Sequence, residues 1–84
     1  MRYILTKHAQ ENLEEREIRL SLMESVLENP EQVVEEKGMN VYQSRVEIGG
    51  RTQLLRVIVN DRTNPVIVVT VYPTSRINRY WRSK

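Results

Sequence analysis

One histidine and one arginine are the side chains of this sequence best suited to chemistry on a phosphate. His8 is the only histidine, and an imidazole with a pKa of about 6.5 can donate or accept a proton at neutral pH. Arg56 stands inside an apolar segment, residues 54–58, where an unpaired guanidinium would be costly. Both also have structural explanations. His8 could be a hydrogen-bonded residue at a helix margin, and Arg56 could extend to water from an edge strand or pair with Glu47 or a helix glutamate.

Two hydroxyl groups are predicted to lie beside Arg56. Thr70 and Tyr72 are two residues apart in an apolar, β-branched run, so they share one face of a strand. Such a pair next to an arginine could hold a phosphate, whereas ordinary packing of Thr and Tyr explains the same pattern. Arg16 follows His8 by two helical turns and is a weaker candidate, because surface arginines are common.

The C-terminal segment, residues 74–84, combines positive charge with aromatic side chains. It carries four cations, no acid and the pair Tyr80-Trp81. Aromatic rings can stack on bases while arginines hold phosphates, although Trp81 could equally complete a small core. The candidate nucleic-acid-binding residues are Arg45, Arg76, Arg79, Trp81 and Arg82.

The distribution of charge also suggests a polyanionic partner. The net charge is +2, but residues 1–37 carry nine acidic and five basic residues, whereas residues 38–84 carry two acidic and eight basic ones. A basic half is typical of proteins that bind nucleic acid. The alternative is that the two halves of the chain pair with each other across the fold.

No pattern in the sequence predicts a metal site or a cofactor. The chain has no cysteine and a single histidine, and it lacks His-x-x-x-His and Glu-x-x-His spacings. The absence of cysteine fits a reducing compartment. No apolar run approaches the ~20 residues that span a bilayer, and the N-terminus lacks an apolar signal-peptide core. We therefore expect a cytoplasmic protein that does not contact a membrane.

The hydrophobic pattern predicts two helices followed by four strands. Helices are expected over residues 7–17 and 21–28, and strands over residues 31–36, 41–48, 52–60 and 64–73. Residues 2–5 could be an edge strand or a lead-in, and Gly49-Gly50 signals a hairpin. The predicted fold is a single α+β domain over residues 1–84, with the helix pair on one face of a mainly antiparallel four-stranded sheet.

Several short motifs, taken in order, resemble a small bacterial family called domain of unknown function 4258. They are Thr-Lys-His-Ala at 6–9, Glu-Arg-Glu-Ile at 15–18, Asn-Pro-Glu-Gln-Val at 29–33, Leu-Arg-Val-Ile-Val at 55–59, Thr-Val-Tyr-Pro-Thr at 70–74 and Tyr-Trp at 80–81. Asn12 and Glu17 depart from the family pattern, in which Arg and Gly are usual at these positions.

The order of elements is similar at fold level to that of RelE, ParE and BrnT toxins. This resemblance implies a toxin-like protein of a toxin–antitoxin pair, with a cognate antitoxin as partner, and a metal-independent endoribonuclease acting on RNA. In such a reaction a base deprotonates the ribose 2′-hydroxyl, an acid protonates the leaving 5′-oxygen, and arginines stabilise the phosphoryl charge. The catalytic candidates are His8, Arg16, Arg56, Thr70, Tyr72 and Tyr80.

Other functions remain open at this stage. The chain could be a non-catalytic basic module that binds nucleic acid or a partner protein, or a ParE-like protein inhibitor. An edge strand could also pair with a second copy to form a homodimer. The ribonuclease hypothesis carries a geometric requirement, because His8 and Arg56 must point into the same concave face.

Overall fold

A computed structural model describes residues 1–83. Eight elements follow one another along the chain: β1 (Tyr3–Leu5), α1 (Lys7–Glu15), α2 (Leu20–Glu28), β2 (Gln32–Glu36), β3 (Met39–Ile48), β4 (Arg51–Asn60), β5 (Val66–Thr74) and α3 (Ile77–Tyr80). No helix in this part of the chain combines the length and the apolar character that a membrane crossing requires.

The strands form one mixed sheet in the order β1-β5-β4-β3-β2. β1 runs parallel to β5, and every other neighbouring pair is antiparallel. The prediction of a four-stranded, mainly antiparallel sheet is therefore wrong: there are five strands, and a third short helix follows the last of them. Residues 2–5, which the sequence allows as an edge strand or a lead-in, contain the edge strand β1.

The shortest strand, β1, and the shortest helix, α3, are too short to carry a periodic signal. β1 has three residues and α3 has four, fewer than either the alternation of a strand or two turns of a helix needs. β1 exists because it pairs with β5, where Tyr3 lies opposite Val66. Because the two paired segments are far apart in the sequence, their contact produces no local sequence pattern.

Helices α1 and α2 pack on one face of the sheet and bury its apolar side chains. The core joins Ala9, Leu13, Met23, Val26 and Leu27 of the helices to Leu55, Val57, Val59, Val68 and Val71 of the sheet. Because successive residues of a strand point to opposite faces, Arg56 points away from the helices. We call this second face the tail face, since the tail, residues 77–83, lies against its central residues Gln43, Arg56 and Tyr72.

A two-glycine turn sets the register of the long hairpin β3–β4. Gly49 and Gly50 have φ values of +61° and +76°, and Ile48 lies opposite Arg51. Two positive φ angles in a two-residue loop are typical of a type I′ turn, whose twist matches that of the flanking strands. This turn aligns Gln43 with Arg56 across the tail face.

Glu17 shows why a glycine suits the end of the first helix. α1 ends at Glu15, two residues earlier than predicted, and Glu17 then adopts a φ of +54°. This left-handed conformation favours glycine, which has no Cβ to clash with the backbone. The glycine that the family resemblance leads one to expect at this position would therefore fit the backbone without strain.

Polar contacts attach α1 to an irregular part of β5. A register shift occurs where Ile58 pairs with Thr70 and Val59 pairs with Val68. The Thr6 hydroxyl donates to the carbonyl of Val69 at 3.0 Å and accepts from the N–H of Ala9. The Asn12 side-chain oxygen accepts from the N–H of Val71 at 3.1 Å. Asn12 therefore supplies a partner for a strand N–H that faces the helix.

We predict that Asn12→Ala lowers the free energy of unfolding by about 1–3 kcal/mol, because it leaves the N–H of Val71 without a partner. Asn12→Asp keeps an acceptor oxygen at this position and should retain most of the stability. Gln10 is exposed on the same helix, so Gln10→Ala is a matched control. Urea unfolding of the three variants measures the effect, and equal stability of Asn12→Ala and Gln10→Ala would contradict it.

Candidate functional site

Arg56 lies at the centre of the tail face in a row of polar side chains. Gln43 of β3 is its cross-strand neighbour on one side, and Tyr72 of β5 is its neighbour on the other. Arg56 and Gln43 are almost completely buried, with 1% and 0% of their surface exposed. Two of the residues predicted to form the site, Arg56 and Tyr72, are thus directly adjacent, and Thr70 follows two positions away on the same strand.

The Arg56 guanidinium has a hydrogen-bond partner in each of three directions. Its Nε donates to Oε1 of Gln43 at 2.9 Å, and Nη1 donates to the Tyr72 hydroxyl at 2.5 Å. Its Nη2 forms an ion pair with Glu36 of β2. No buried side-chain nitrogen or oxygen among residues 1–83 lacks a partner. The buried charge is therefore neutralised and hydrogen-bonded, as a stable fold requires.

The ring of Tyr80 covers this polar cluster from the tail side. The guanidinium carbon of Arg56 lies 4.2 Å from the centre of the Tyr80 ring, a cation–π contact. The rings of Tyr72 and Tyr80 meet edge to face, with centres 6.3 Å apart. Burial raises the pKa of Tyr72, and the hydrogen bond from Arg56 acts in the opposite direction. Arg56 is thus closed off between the sheet and Tyr80, and no open path lets a phosphate reach it.

The tail is fastened to the sheet by two glutamine side chains. The Gln32 amide donates to the carbonyl of Arg82 at 2.7 Å, and its oxygen accepts from the N–H of Arg82 at 3.1 Å. Gln43 donates to the carbonyl of Tyr80 at 3.2 Å and to Gln32 at 2.8 Å. A side-chain amide can pair with a backbone N–H and C=O together, so Gln32 binds the tail as a neighbouring strand would.

Trp81 rests against an arginine that is itself held by an acid. The guanidinium carbon of Arg45 lies 4.3 Å from the centre of the Trp81 ring. The Glu31 carboxylate accepts from Nε and Nη2 of Arg45, both at 3.1 Å, and from its backbone N–H at 2.7 Å. These bonds from Arg45 lower the pKa of Glu31. Arg45 nevertheless remains half exposed, so part of its guanidinium faces solvent.

Three arginines of the predicted nucleic-acid-binding set line one open depression beside Trp81. This basic depression has a volume of about 630 Å³ and is lined by Arg45, Ser75, Arg76, Ile77, Asn78 and Arg79. Arg76 and Arg79 are exposed. Arg82 points elsewhere, since its Nη2 lies 3.8 Å from Glu36. The structure therefore brings together Arg45, Arg76 and Arg79, but not Arg82.

His8 and Arg16 lie on the opposite side of the sheet from Arg56. Both are exposed on or next to α1. α1 packs on β5, on the face of the sheet whose core includes Leu55 and Val57. A single catalytic site that contains both His8 and Arg56 is consequently not formed. No group of three or more His, Asp or Glu residues within residues 1–83 is arranged to hold a metal ion.

A family model described as "Domain of unknown function (DUF4258)" matches residues 5–73 of the chain. The chain belongs to this family. The family resemblance drawn from the short motifs is thereby confirmed, whereas the similarity to RelE-type toxins is not shown. No curated protein and no solved structure matches the chain.

The family match ends at residue 73, one residue before the end of β5. The matched part of this DUF4258 chain includes His8, Arg56 and Tyr72. The tail and residues 75–79 of the basic depression lie outside it. Of the three arginines that line the depression, Arg45 lies within the matched residues, and Arg76 and Arg79 do not.

Sequence reasoning missed the acids and amides that hold the arginines of this DUF4258 protein. Glu36 and Gln43 bind Arg56, Glu31 binds Arg45, and Gln32 binds the tail. One signal was available, because Gln43 shares its strand face with Val41 and stands in the middle of a strand. A polar residue at such a position needs a buried partner, and Arg56 on the adjacent strand is an obvious one.

Proposed function

We propose that this DUF4258 protein is a non-catalytic module that binds single-stranded RNA at the basic depression and Trp81. The observation that carries the proposal is the common depression lined by Arg45, Arg76 and Arg79. Arginine presents a planar fork of donors that matches the oxygens of a phosphate. Three such forks on one surface next to a partly buried indole combine phosphate contacts with a platform for a base.

The charges around the depression favour an anionic ligand. Glu31 is the one carboxylate that pairs with an arginine of the depression among residues 1–83. Arg76 and Arg79 make no ion pair within this part of the chain. The guanidinium carbon of Arg79 lies 5.6 Å from the centre of the Tyr80 ring. Both arginines can meet a phosphate without breaking an ion pair.

The choice of RNA rests on the polar groups that accompany the arginines. Ser75 and Asn78 place a hydroxyl and an amide on the wall of the depression. Both groups can donate to and accept from a ribose 2′-hydroxyl, the group that distinguishes RNA from DNA. Single-stranded RNA also exposes its bases for stacking on an aromatic ring.

Binding fits the geometry better than cleavage does. RNA cleavage by His8 and Arg56 requires both side chains at one phosphate, yet they lie on opposite faces of the sheet. Arg56 is 1% exposed beneath Tyr80, and its donors already serve Gln43, Tyr72 and Glu36. These contacts explain Arg56 as a structural residue that holds the tail face together.

The proposal is tested by fluorescence anisotropy of a labelled single-stranded RNA in EDTA. We expect the double variant Arg76→Gln/Arg79→Gln to bind at least about tenfold more weakly than the wild type. Because two phosphate contacts are lost, the slope of log K against log[salt] should also be shallower by about 1.4. Trp81 is the only tryptophan, so quenching of its fluorescence by RNA reports stacking. A DNA strand of the same sequence should bind more weakly.

The matched control is Arg62→Gln. Arg62 is exposed in the loop that precedes β5, at the opposite end of that strand from Ser75, so its loss should leave RNA binding unchanged. An equal loss in this control, or no binding by folded wild-type protein, would refute the proposal. Gel analysis of the same samples tests for cleavage. Shortened RNA in the wild-type sample would refute the non-catalytic part of the proposal, and loss of that cleavage in His8→Ala would assign it to His8.

A further inference from the structure

We propose that the basic depression recognises the terminal phosphate of single-stranded RNA, a phosphate monoester, in preference to internal phosphodiesters. This inference rests on the proposed function and specifies the ligand of the same site. It follows from the number of guanidiniums, their clustering at one depression and the position of Trp81.

The charge at the depression suits a dianion. Arg45, Arg76 and Arg79 line it together, and within residues 1–83 Glu31 is the one acid that neutralises part of this charge. An internal phosphodiester carries one negative charge and two free oxygens. A terminal monoester carries about −1.5 to −2 at neutral pH and offers three strong acceptor oxygens. A monoester therefore offers each of the three arginines a separate oxygen and more negative charge than a diester does.

The arrangement of the cations also suits a single phosphate. Arg45, Arg76 and Arg79 line one shallow depression that is open to solvent. Arg76 and Arg79 are three residues apart at the short helix α3, and Arg45 reaches the same depression from β3. A groove that tracks a polynucleotide would instead distribute its cations along a line.

Arg45 connects the phosphate site to the stacking platform. Its guanidinium lines the depression and also lies 4.3 Å from the centre of the Trp81 ring. Glu31 fixes this orientation by accepting from both Nε and Nη2, which leaves Nη1 for a ligand. A terminal nucleotide could thus place its phosphate among the arginines and its base against the exposed part of Trp81.

The test compares four short single-stranded RNAs of one sequence by fluorescence anisotropy. Two carry a 3′ dye and either a 5′-hydroxyl or a 5′-phosphate, and two carry a 5′ dye and either a 3′-hydroxyl or a 3′-phosphate. We expect a phosphate at one end to tighten binding at least about tenfold, as charge-assisted contacts to an additional oxygen and charge imply. Arg76→Gln should abolish this gain, and Arg62→Gln should retain it.

The outcomes separate this inference from the proposed function. Equal affinity for all four RNAs, or a gain that persists in Arg76→Gln, would overturn the terminal-phosphate site while RNA binding stands. No binding of any RNA by folded protein would overturn both. Competition with a nucleoside 5′-monophosphate and with inorganic phosphate forms a further arm. If either binds the protein with a Kd at or below that of the phosphorylated RNA, the ligand is the free small molecule and not an RNA end.

Discussion

Arg56→Ala is expected to lower the free energy of unfolding by about 3 kcal/mol. The change leaves Oε1 of the fully buried Gln43 without its donor. It also removes the partner of the Tyr72 hydroxyl, the counter-ion of Glu36 and the cation beneath the Tyr80 ring. Urea unfolding followed by far-UV circular dichroism measures the loss.

Two further variants show whether the guanidinium network causes this loss. Arg56→Lys keeps the positive charge but cannot donate in three directions from a planar fork, so an intermediate stability is expected. Arg62→Ala removes an exposed arginine and should change stability by no more than about 0.5 kcal/mol. If Arg56→Ala is as stable as Arg62→Ala, the buried network does not hold the tail face together.

Tyr80→Ala is expected to reduce stability by about 2–3 kcal/mol and to release the tail from the sheet. The ring packs on Arg56 and meets Tyr72 edge to face, so its removal opens a path for water to the buried guanidinium. The neighbouring Trp81 is the only tryptophan, and its emission should shift to longer wavelength as it becomes more exposed.

Tyr80→Phe is the matched control for the ring. It keeps the edge-to-face contact and the cation–π contact and removes only the hydroxyl, so stability and Trp81 emission should remain close to those of the wild type. A loss in Tyr80→Phe as large as that in Tyr80→Ala would mean that the hydroxyl, and not the ring, fastens the tail.

The arginines of this chain differ in burial and in their contacts. Arg56 is buried and fully hydrogen-bonded, so it contributes to stability. Arg76 and Arg79 are exposed and line the basic depression, and they are the arginines that we propose bind RNA. Arg45 belongs to both groups, because it stacks on Trp81, pairs with Glu31 and lines the depression.

The long strands and their facing residues could be predicted because their signals are local. Alternation along β4 places Arg56 on the face opposite that of Leu55 and Val57, and the Gly49-Gly50 pair predicts the hairpin that joins β3 to β4. The hydroxyl of Tyr72 was expected beside Arg56 for the same reason. The alternation of side chains between the two faces of a strand depends only on residues that are neighbours in the sequence. It can therefore be recognised in each strand without knowledge of the rest of the fold.

The separation of His8 from Arg56 could not be predicted in the same way. Helical spacing identifies the buried side of α1 through Ala9 and Leu13, but it does not say which face of the sheet that side will cover. That choice depends on how α1 docks on β5 through Thr6 and Asn12. These contacts join residues far apart in sequence, and no local pattern records them.

The family, the longer helices and strands and the basic, aromatic character of the C-terminal segment follow from the residues and their order. The fifth, parallel strand and the enclosure of Arg56 follow from the packing of distant segments. The same is true of the meeting of Arg45 with Arg76 and Arg79 at one depression. Side-chain periodicity arises between neighbours in the sequence, whereas strand order, burial and convergent charge arise from contacts between segments that are far apart in it.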